Sequence, residues 1–363
     1  MHRPKTSSGE ETMAEERRGI ACAGNWIIDY LYVCDRWPRE ETISYILEES
    51  RGTGGAPYNC LVDLATFGPP PKPDGPAGEP IPLEAIGLTG NDADGEFIRQ
   101  DMARCGIDAG ALSATDAAPT SYTLVVVNKP TGRRTFFHNR GANVLFGPEH
   151  VPIERTKARL LHLGYLLLLD RFDEPDTEFG TVAARLLKQA QDAGIETSID
   201  VVSEDSTRFS EIVKPALRHA DFCILNEFEA GRTTGHELRP GDQPDPKAIR
   251  ASSEELLRLG VTRLVCIHMP EGGYARTADG NELWQPALAL PDGYIRGAAG
   301  AGDAFCSGVL YGLHERWDLK RTLTLAVCAA AVSLSDPSCT DAMCSVAETL
   351  ALADQFPFQP PVL

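Results

Sequence analysis

The second half of the chain alternates short apolar runs with longer amphipathic stretches, and this alternation limits the possible folds more than any other feature. The apolar runs have the length of buried strands and lie at 160–164, 195–200, 222–226 and 264–268. Stretches with helical spacing of apolar residues lie at about 177–193, 207–219, 248–259, 303–315 and 319–334. Strands connected through helices pair in parallel and are covered on both faces, so the pattern predicts an α/β fold with a mostly parallel sheet.

The first half of the chain contributes fewer regular elements. Short strands are predicted at 20–24 and 85–88, and helices from about 58 to 67 and from about 94 to 105. Residues 69–82 are rich in proline and glycine, which is typical of a surface insertion.

Two β-rich patches, at about 31–52 and 118–140, lie outside the strand–helix alternation. They predict a separate small sheet that forms a lid over one edge of the main sheet. The expected organisation is a disordered N-terminal tail at 1–18, one domain at 19–355 that includes the lid, and a C-terminal tail at 356–363.

Charge and cysteine content narrow the class of protein. The chain has 34 Lys and Arg against 52 Asp and Glu, a net charge of −18. Nucleic acids and anionic membrane surfaces require a basic face, so neither is an expected partner. The sequence contains no run of about 18 apolar residues, so no membrane-spanning helix is predicted. The ten cysteines include no C-x-x-C pair, and most lie in apolar runs, which favours a reduced, cytoplasmic, soluble protein.

The most informative segment is the glycine-rich run from Gly297 to Asp303, which leads into a predicted helix. Backbone N–H groups at a helix start are unpaired, and the helix dipole adds positive potential, so the segment suits an anion. Asp303 is either a helix-capping acid or a general base that faces a transferable phosphoryl group. The phosphate-loop pattern is absent, and Phe305 occupies the third glycine position of a dinucleotide fingerprint.

Several short segments together carry a resemblance to a known family. They are Gly24-Asn25 with Asp29, Gly54-Gly55 with Asn59, Gly87 to Gly95 with its G-x-x-G-x-D-x-x-G spacing, Asn226 with Glu229, and Gly300 to Phe305. In this order, they make the chain similar to the ribokinase-like sugar kinases, also called phosphofructokinase-B type carbohydrate kinases. The resemblance runs from about 20 to 345 and implies a three-layer α/β/α sandwich with a small β lid.

The resemblance implies roles for the phosphoryl-transfer residues. Asp303 would take the proton from a sugar hydroxyl as that oxygen attacks the γ-phosphorus of ATP. The backbone N–H groups of Ala301, Gly302 and Asp303, which follow Gly300, would form an anion hole. Asn226 and Glu229 would organise water around Mg²⁺, so Glu229 would hold the metal indirectly.

Other positions would contact the sugar and the nucleotide. The resemblance assigns Asp29, Asn25, Asn59 and the Gly54-Gly55 pair to the sugar. Arg140 lies where the second β patch returns to the main domain, and it either binds a carboxylate or phosphate or pairs with acids of the lid. Bases and phosphates of the nucleotide would contact the segment from His268 to Gly273, although a packed or capping role is the other interpretation of His268.

The chain departs from the family pattern at three places. Gly297-Ala298 replaces the usual Asp-Thr pair, whose Asp helps to build a monovalent-cation site, so potassium activation is called into question. In the nucleotide segment, Pro270 removes a backbone donor, and Glu271 adds negative charge near the phosphates. The stretch at 335–341 lacks the usual glycine-rich ending.

The resemblance predicts an ATP-dependent, Mg²⁺-requiring kinase that acts on a free aldose, a ketose or a keto-sugar acid. A nucleoside kinase of the same family is an alternative, with Trp37, Phe136 or Phe137 of the lid stacking on the base. A regulatory protein that binds nucleotide or sugar without turnover is another alternative, which Gly297-Ala298 and Pro270 motivate. A lid sheet exposes an edge and an apolar face, so a homodimer formed through the lid is expected.

Overall fold

The computed structural model describes residues 17–70 and 78–362 of the chain. The predicted tail at 1–18, except for its last two residues, lies outside the described residues, and so do residues 71–77 of the predicted insertion.

The described residues form strands and helices that alternate through much of the chain. The strands are β1 Ile20–Ala23, β2 Ile27–Cys34, β3 Ile46–Gly54, β4 Leu83–Gly90, β5 Asp108–Thr115, β6 Ser121–Asn128, β7 Arg134–Asn139, β8 Leu160–Leu166, β9 Pro175–Asp176, β10 Gly180–Thr181, β11 Glu196–Val201, β12 Phe222–Asn226, β13 Leu264–Met269, β14 Gly272–Thr277 and β15 Glu282–Pro286. The helices are α1 Ala56–Phe67, α2 Ala93–Arg104, α3 Val182–Asp192, α4 Phe209–Leu217, α5 Glu227–Thr234, α6 Pro246–Leu259, α7 Ala301–His314, α8 Leu319–Ser333 and α9 Val346–Gln355.

A nine-stranded sheet forms the middle layer, in the order β15-β14-β13-β12-β11-β8-β1-β4-β5. The strands from β13 to β5 in this order are parallel, whereas β14 and β15 add to one edge antiparallel. Alternate residues of β1 enter different hydrophobic clusters, Ile20 and Cys22 on one side and Ala21 and Ala23 on the other. The first cluster includes residues of α1, α2, α7 and α8, and the second includes residues of α3 to α6. These two cores give the predicted three-layer α/β/α sandwich.

A second, four-stranded sheet has the order β3-β2-β6-β7. The pair β2 and β6 is parallel, and the other two pairs are antiparallel. This sheet coincides closely with the two β-rich patches of the sequence. Large apolar side chains are exposed on it, and they include Trp37, Ile43, Tyr45, Ile46, Leu47, Phe136 and Phe137.

Some predicted elements differ from the structure. The helix expected from about 177 begins only at Val182, because Asp176 accepts hydrogen bonds from the amides of Glu178 and Phe179 and holds a tight turn between β9 and β10. Thr181 then caps α3 through the amide of Ala184. The strands β5, β14 and β15 and the helices α5 and α9 were not predicted.

The segment beyond α9 pairs with an earlier segment of the chain. Beyond α9, the backbone of 357–359 pairs with 287–289.

Among the described residues, no helix has the length and apolar character required to cross a lipid bilayer.

Candidate active site

Asp303 lies in the first turn of α7, buried beneath the carboxyl ends of the central strands. Its Oδ2 accepts a hydrogen bond from Asn59 Nδ2 at 2.7 Å, and its Oδ1 accepts one from the Tyr165 hydroxyl at 2.8 Å. Burial raises the pKa of Asp303 to about 6, although both hydrogen bonds lower it. The carboxylate is therefore held in a fixed orientation and is mostly ionised at neutral pH, as a general base must be.

The start of α7 presents unpaired backbone donors beside this carboxylate. Gly300 adopts a left-handed conformation, with φ at 82°, and a Cβ there would lie 2.7 Å from the carbonyl oxygen of Cys339. The amide of Ala304 donates to the carbonyl of Gly300. The amides of Ala301, Gly302 and Asp303 precede it, and they have no acceptor within the described part of the chain. They form a cradle suited to an anion.

A cavity of about 260 Å³ adjoins Asp303 and contains two further buried carboxylates, those of Asp200 and Glu229. Asp200 Oδ1 has no hydrogen-bond partner among the described residues. Burial, reinforced by the nearby Asp200 and Asp303, raises the pKa of Glu229 to about 8. Since like charges repel in a buried site, this group of acids is suited to a counter-cation.

Asn226 and Glu229 form a capping box at the start of α5. Asn226 Oδ1 accepts from the amide of Glu229 at 2.9 Å, and Glu229 Oε2 accepts from the amide of Asn226 at 2.9 Å. Ser203 also donates to Glu229 Oε1 at 2.7 Å. Taken alone, Glu229 has the sequence signature of a solvent-facing acid, but the structure buries it on the cavity wall.

The residues assigned to the sugar lie on the lid side of Asp303. A Cβ at Gly54 would lie 2.7 Å from Asp29 Oδ2, so this glycine gives the carboxylate room. Burial raises the pKa of Asp29. Asn59 Oδ1 and Asn25 Oδ1 are buried and have no partner among the described residues. Gly55, with φ at 95°, places the start of α1 so close to Asn25 that a Cβ would lie 2.0 Å from its carbonyl oxygen.

Arg140 is occupied by neighbours in the main domain. Its guanidinium lies 2.7 Å from Asp170 Oδ1 and donates to the carbonyl of Leu168 at 3.4 Å. Asn25 Nδ2 donates to the same carbonyl at 3.2 Å. The acid that pairs with Arg140 therefore lies outside the lid, so the predicted pairing with a lid acid is wrong in its partner.

A second cavity, of about 650 Å³, opens on the other side of the α7 start and is mostly apolar. His268 lines both cavities, and its ring lies 5.0 Å from that of Phe305. Burial lowers the pKa of His268 to about 4, so the ring is neutral. Gly272 lines this cavity, whereas Gly273 lies against the Phe305 ring, where a Cβ would be 2.7 Å away.

Arg239 compensates the negative charge of Glu271, the acid that the sequence places near the phosphates. Arg239 donates to both carboxylate oxygens of Glu271, at 3.0 and 2.6 Å, and also to Glu227 at 2.8 Å. This ion pair lowers the pKa of Glu271.

The sequence matches the family described as "pfkB family carbohydrate kinase" over residues 17–345. The chain belongs to this family. It is a carbohydrate kinase, a phosphotransferase whose acceptor is an alcohol group of a sugar.

Individual relatives are distant but cover most of the chain. An ATP-dependent ribose-1-phosphate kinase of Halopiger xanaduensis is 25% identical over 337 residues, which are 92% of this chain and 96% of that protein. A 5-dehydro-2-deoxygluconokinase of Clostridium perfringens is 24% identical over 309 residues, 83% of this chain and 84% of that protein. Arabidopsis thaliana ribokinase, solved with ribose and ATP, has the same fold, with a TM-score of 0.73 at 18% identity over 93% of this chain and 98% of that one.

The structure explains one departure of this carbohydrate kinase from its family pattern. A Cβ at Gly297 would lie 2.8 Å from Pro337 Cα and 3.1 Å from the carbonyl oxygen of Asp336. The segment after α8 thus occupies the space into which an aspartate at 297 would extend. The unusual residues at 335–341 and the glycine that replaces the usual aspartate at 297 are therefore in contact with each other.

Sequence analysis missed Tyr165 and Asp200 as residues of the kinase site. Tyr165 lies near the end of β8 and Asp200 near the end of β11, and each follows an apolar run. A polar residue at the end of a parallel strand is the signal that could have identified them.

Proposed function

We propose that this carbohydrate kinase transfers the γ-phosphoryl group of ATP to a hydroxyl of a free, uncharged aldose or ketose, with Asp303 as general base. The observation that carries the proposal is the position of Asp303. Its carboxylate stands between the sugar-side residues Asp29 and Asn59 and the apolar cavity beside α7, next to unpaired amides.

In the proposed reaction, the acceptor hydroxyl donates its hydrogen to Asp303 and attacks the γ-phosphorus in line with the leaving ADP oxygen. The amides of Ala301, Gly302 and Asp303 stabilise the negative charge on the transferring group. Removal of one such donor typically costs about 3 kcal/mol of the activation barrier. Asn59 and Tyr165 orient the base, so that little reorganisation is needed when the proton moves.

Mg²⁺ fits the acidic cavity next to the anion cradle. Asp200 has a buried oxygen without a partner among the described residues, and Glu229 lies on the same wall with its own oxygens already hydrogen-bonded. We therefore assign Asp200 to a contact with the hydrated ion and Glu229 to its bound water, in line with the preference of Mg²⁺ for oxygen ligands and retained water. The ion would neutralise charge on the β- and γ-phosphates.

The larger cavity suits the adenine ring. Its walls include Leu288, Leu290 and Phe305, and such apolar surfaces bury a flat aromatic base. His268 is neutral and separates this cavity from the acidic one, so it lies at the expected junction of base and phosphates.

An uncharged sugar is favoured over a sugar phosphate or a sugar acid. Arg140 is the cation that the sequence offers for such an anion, but Asp170 already neutralises it. Asp29, by contrast, is a carboxylate acceptor able to bind two neighbouring hydroxyls. An anionic sugar would place its negative charge near that of Asp29, whereas the cation of Arg140 is already paired with Asp170.

The lid is also proposed to pair with a second lid. It carries a group of exposed apolar side chains, and two of them, Trp37 and Phe137, stack with ring centroids 6.5 Å apart. Pairing two lids would remove this surface from water. A homodimer in sedimentation, converted to monomer by Phe137→Glu but not by Phe228→Glu on α5, would support the proposal, and a monomeric wild type would contradict it.

The substrate assignment is tested by ADP release with MgATP across matched series of free sugars, sugar acids, sugar phosphates and nucleosides. We expect turnover with one or a few free sugars and none with the charged forms of the same sugars. Selective turnover of a sugar phosphate, a sugar acid or a nucleoside would overturn the substrate class while retaining the kinase. MgATP binding, by calorimetry, without turnover on any acceptor would favour the non-catalytic alternative.

A further inference from the structure

Three soft metal-binding side chains converge beneath the proposed active site. Cys60, His162 and Cys306 are all fully buried, and one potential ligand atom of each lies within 4.8 Å of the other two. They come from α1, β8 and α7, which lie far apart along the chain. The phosphoryl-transfer chemistry described above uses none of them.

The spacing of these atoms suits a tetrahedral ion. Cys306 Sγ lies 3.7 Å from His162 Nε2. With Zn–S near 2.3 Å and Zn–N near 2.0–2.1 Å, an ideal tetrahedron separates sulfur from nitrogen by about 3.6 Å and two sulfurs by about 3.8 Å. An inward movement of at most about 1 Å would therefore bring all three atoms into coordination distance.

The surroundings of His162 are those of a metal-ligating imidazole. Its Nδ1 lies 3.0 Å from Ser198 Oγ, the residue opposite it in the β8–β11 ladder. A hydrogen bond from Nδ1–H to this hydroxyl leaves the lone pair of Nε2 directed toward Cys306. Metal-binding histidines commonly donate their second ring N–H to such a partner, which fixes the tautomer.

Asp200 lies beside His162, outside this group of three, and is the candidate for a fourth ligand. Its Oδ2 lies 3.5 Å from His162 Nε2, and its Oδ1 is buried without a partner among the described residues. A Cβ at Gly164 would lie 3.0 Å from Asp200 Oδ1 and 3.3 Å from His162 Nε2, so the absence of a side chain there leaves space between the two groups.

We propose that Cys60, Cys306, His162 and Asp200 form a binding site for a thiophilic ion of the Zn²⁺ class. Sulfur and imidazole donors in tetrahedral array select such ions over Mg²⁺, which prefers oxygen in octahedral array. Binding would tie α1, which carries Asn59, to α7, which carries Asp303. It would also draw Asp200 toward the sulfurs and away from the acidic cavity.

The binding itself does not depend on the proposed kinase mechanism, but one consequence does. If Asp200 contacts Mg²⁺ during turnover, occupation of the thiolate site inhibits phosphoryl transfer. Failure of that inhibition with binding intact would count against the role of Asp200 in the mechanism and not against the metal site.

Cobalt provides the direct test, because tetrahedral thiolate-bound Co²⁺ absorbs visible light strongly and octahedral Co²⁺ does not. Reduced, metal-free wild type, titrated with Co²⁺ in the absence of nucleotide, is expected to bind one ion with tetrahedral absorption that Zn²⁺ displaces. Cys60→Ala and Cys306→Ala are expected to weaken binding at least tenfold. The matched control is Cys328→Ala, a buried cysteine on α8, which is expected to bind as wild type does.

Three results would overturn the proposal: no tetrahedral absorption in the wild type, equal binding by the Cys60 and Cys306 variants, or a site dominated by oxygen ligands. Should either variant fail to fold, X-ray absorption of zinc-loaded wild type decides the question without substitution. The proposal requires two sulfur ligands at about 2.3 Å, and a spectrum that lacks them would contradict it.

Discussion

The hydroxyl of Tyr165 tunes the proposed base, and its removal gives a measurable pH effect. It donates to Asp303 Oδ1 at 2.8 Å and lowers the pKa of that carboxyl, which burial raises to about 6. A hydrogen bond to a charged group contributes about 1.5–3 kcal/mol. Since 1.36 kcal/mol corresponds to one pKa unit, Tyr165→Phe should raise the pKa of Asp303 by about 1–2 units.

The direction of the change in kcat/KM follows from the protonation state in which Asp303 can act as the base. A general base must be ionised, so activity falls on the acid side of its pKa. With a pKa of about 6, most of the Asp303 carboxyls of the wild type are ionised at pH 7. The substitution should lower kcat/KM at pH 7 about two- to tenfold and leave the alkaline plateau nearly unchanged.

The assay is the pH profile of kcat/KM, measured by ADP release from wild type and Tyr165→Phe. The control is Tyr311→Phe on α7, which removes a hydroxyl that donates to the carbonyl of Gly68 at the end of α1 and makes no hydrogen bond to Asp303 among the described residues. We expect the acid limb to move to higher pH only in the Tyr165 variant. An unmoved limb, or a uniform loss of rate at all pH values, would refute this account of how Asp303 is tuned.

Three other predictions concern the sugar site, the response to potassium and the stability of the fold. Gly54→Ala places a Cβ 2.7 Å from Asp29 Oδ2 and should raise KM for the sugar at least tenfold, with little change in KM for ATP. The control is Gly52→Ala, whose added carbon has nothing within 4 Å and should leave KM for the sugar unchanged. Equal effects of the two substitutions would contradict the assignment of Asp29. Replacing potassium by sodium should change kcat less than twofold, because the segment after α8 fills the space beside Gly297, and Gly297→Ala should lower the melting temperature; a strong potassium requirement would contradict this interpretation. Burial raises the pKa of Asp63 well above its usual value, so the folded state holds this proton more tightly than the unfolded state, which loses it above about pH 4. Asp63→Asn should therefore stabilise the protein by an amount that grows from pH 4 to 7, and thermal melts that show no such trend would contradict the argument.

The parallel sheet, the lid and the start of α7 could be predicted because each has a local signature. Apolar runs between amphipathic stretches predicted a mostly parallel sheet, and small residues before Asp303 predicted an anion-binding helix start. Each of these signals is carried by residues that lie close together in the chain.

What could not be predicted depends on contacts between distant segments. Tyr165 and Asp200 acquire their roles only when β8 and β11 lie side by side under α7. The sequence around Glu229 is typical of an exposed acid in the first turn of a helix. In the structure, the capping box with Asn226 instead holds the Glu229 side chain buried on the wall of the cavity. Gly297 is similarly explained only by the segment after α8, about forty residues further along the chain.

The central claim is that Asp303 is the base in phosphoryl transfer to a sugar. Its most direct test is the rate of ADP formation by Asp303→Asn with the best free sugar, beside calorimetric binding of MgATP. Loss of general base catalysis should lower kcat by about 10²–10⁴, while MgATP binds within a few-fold of wild type. A variant that turns over within tenfold of wild type would contradict the claim.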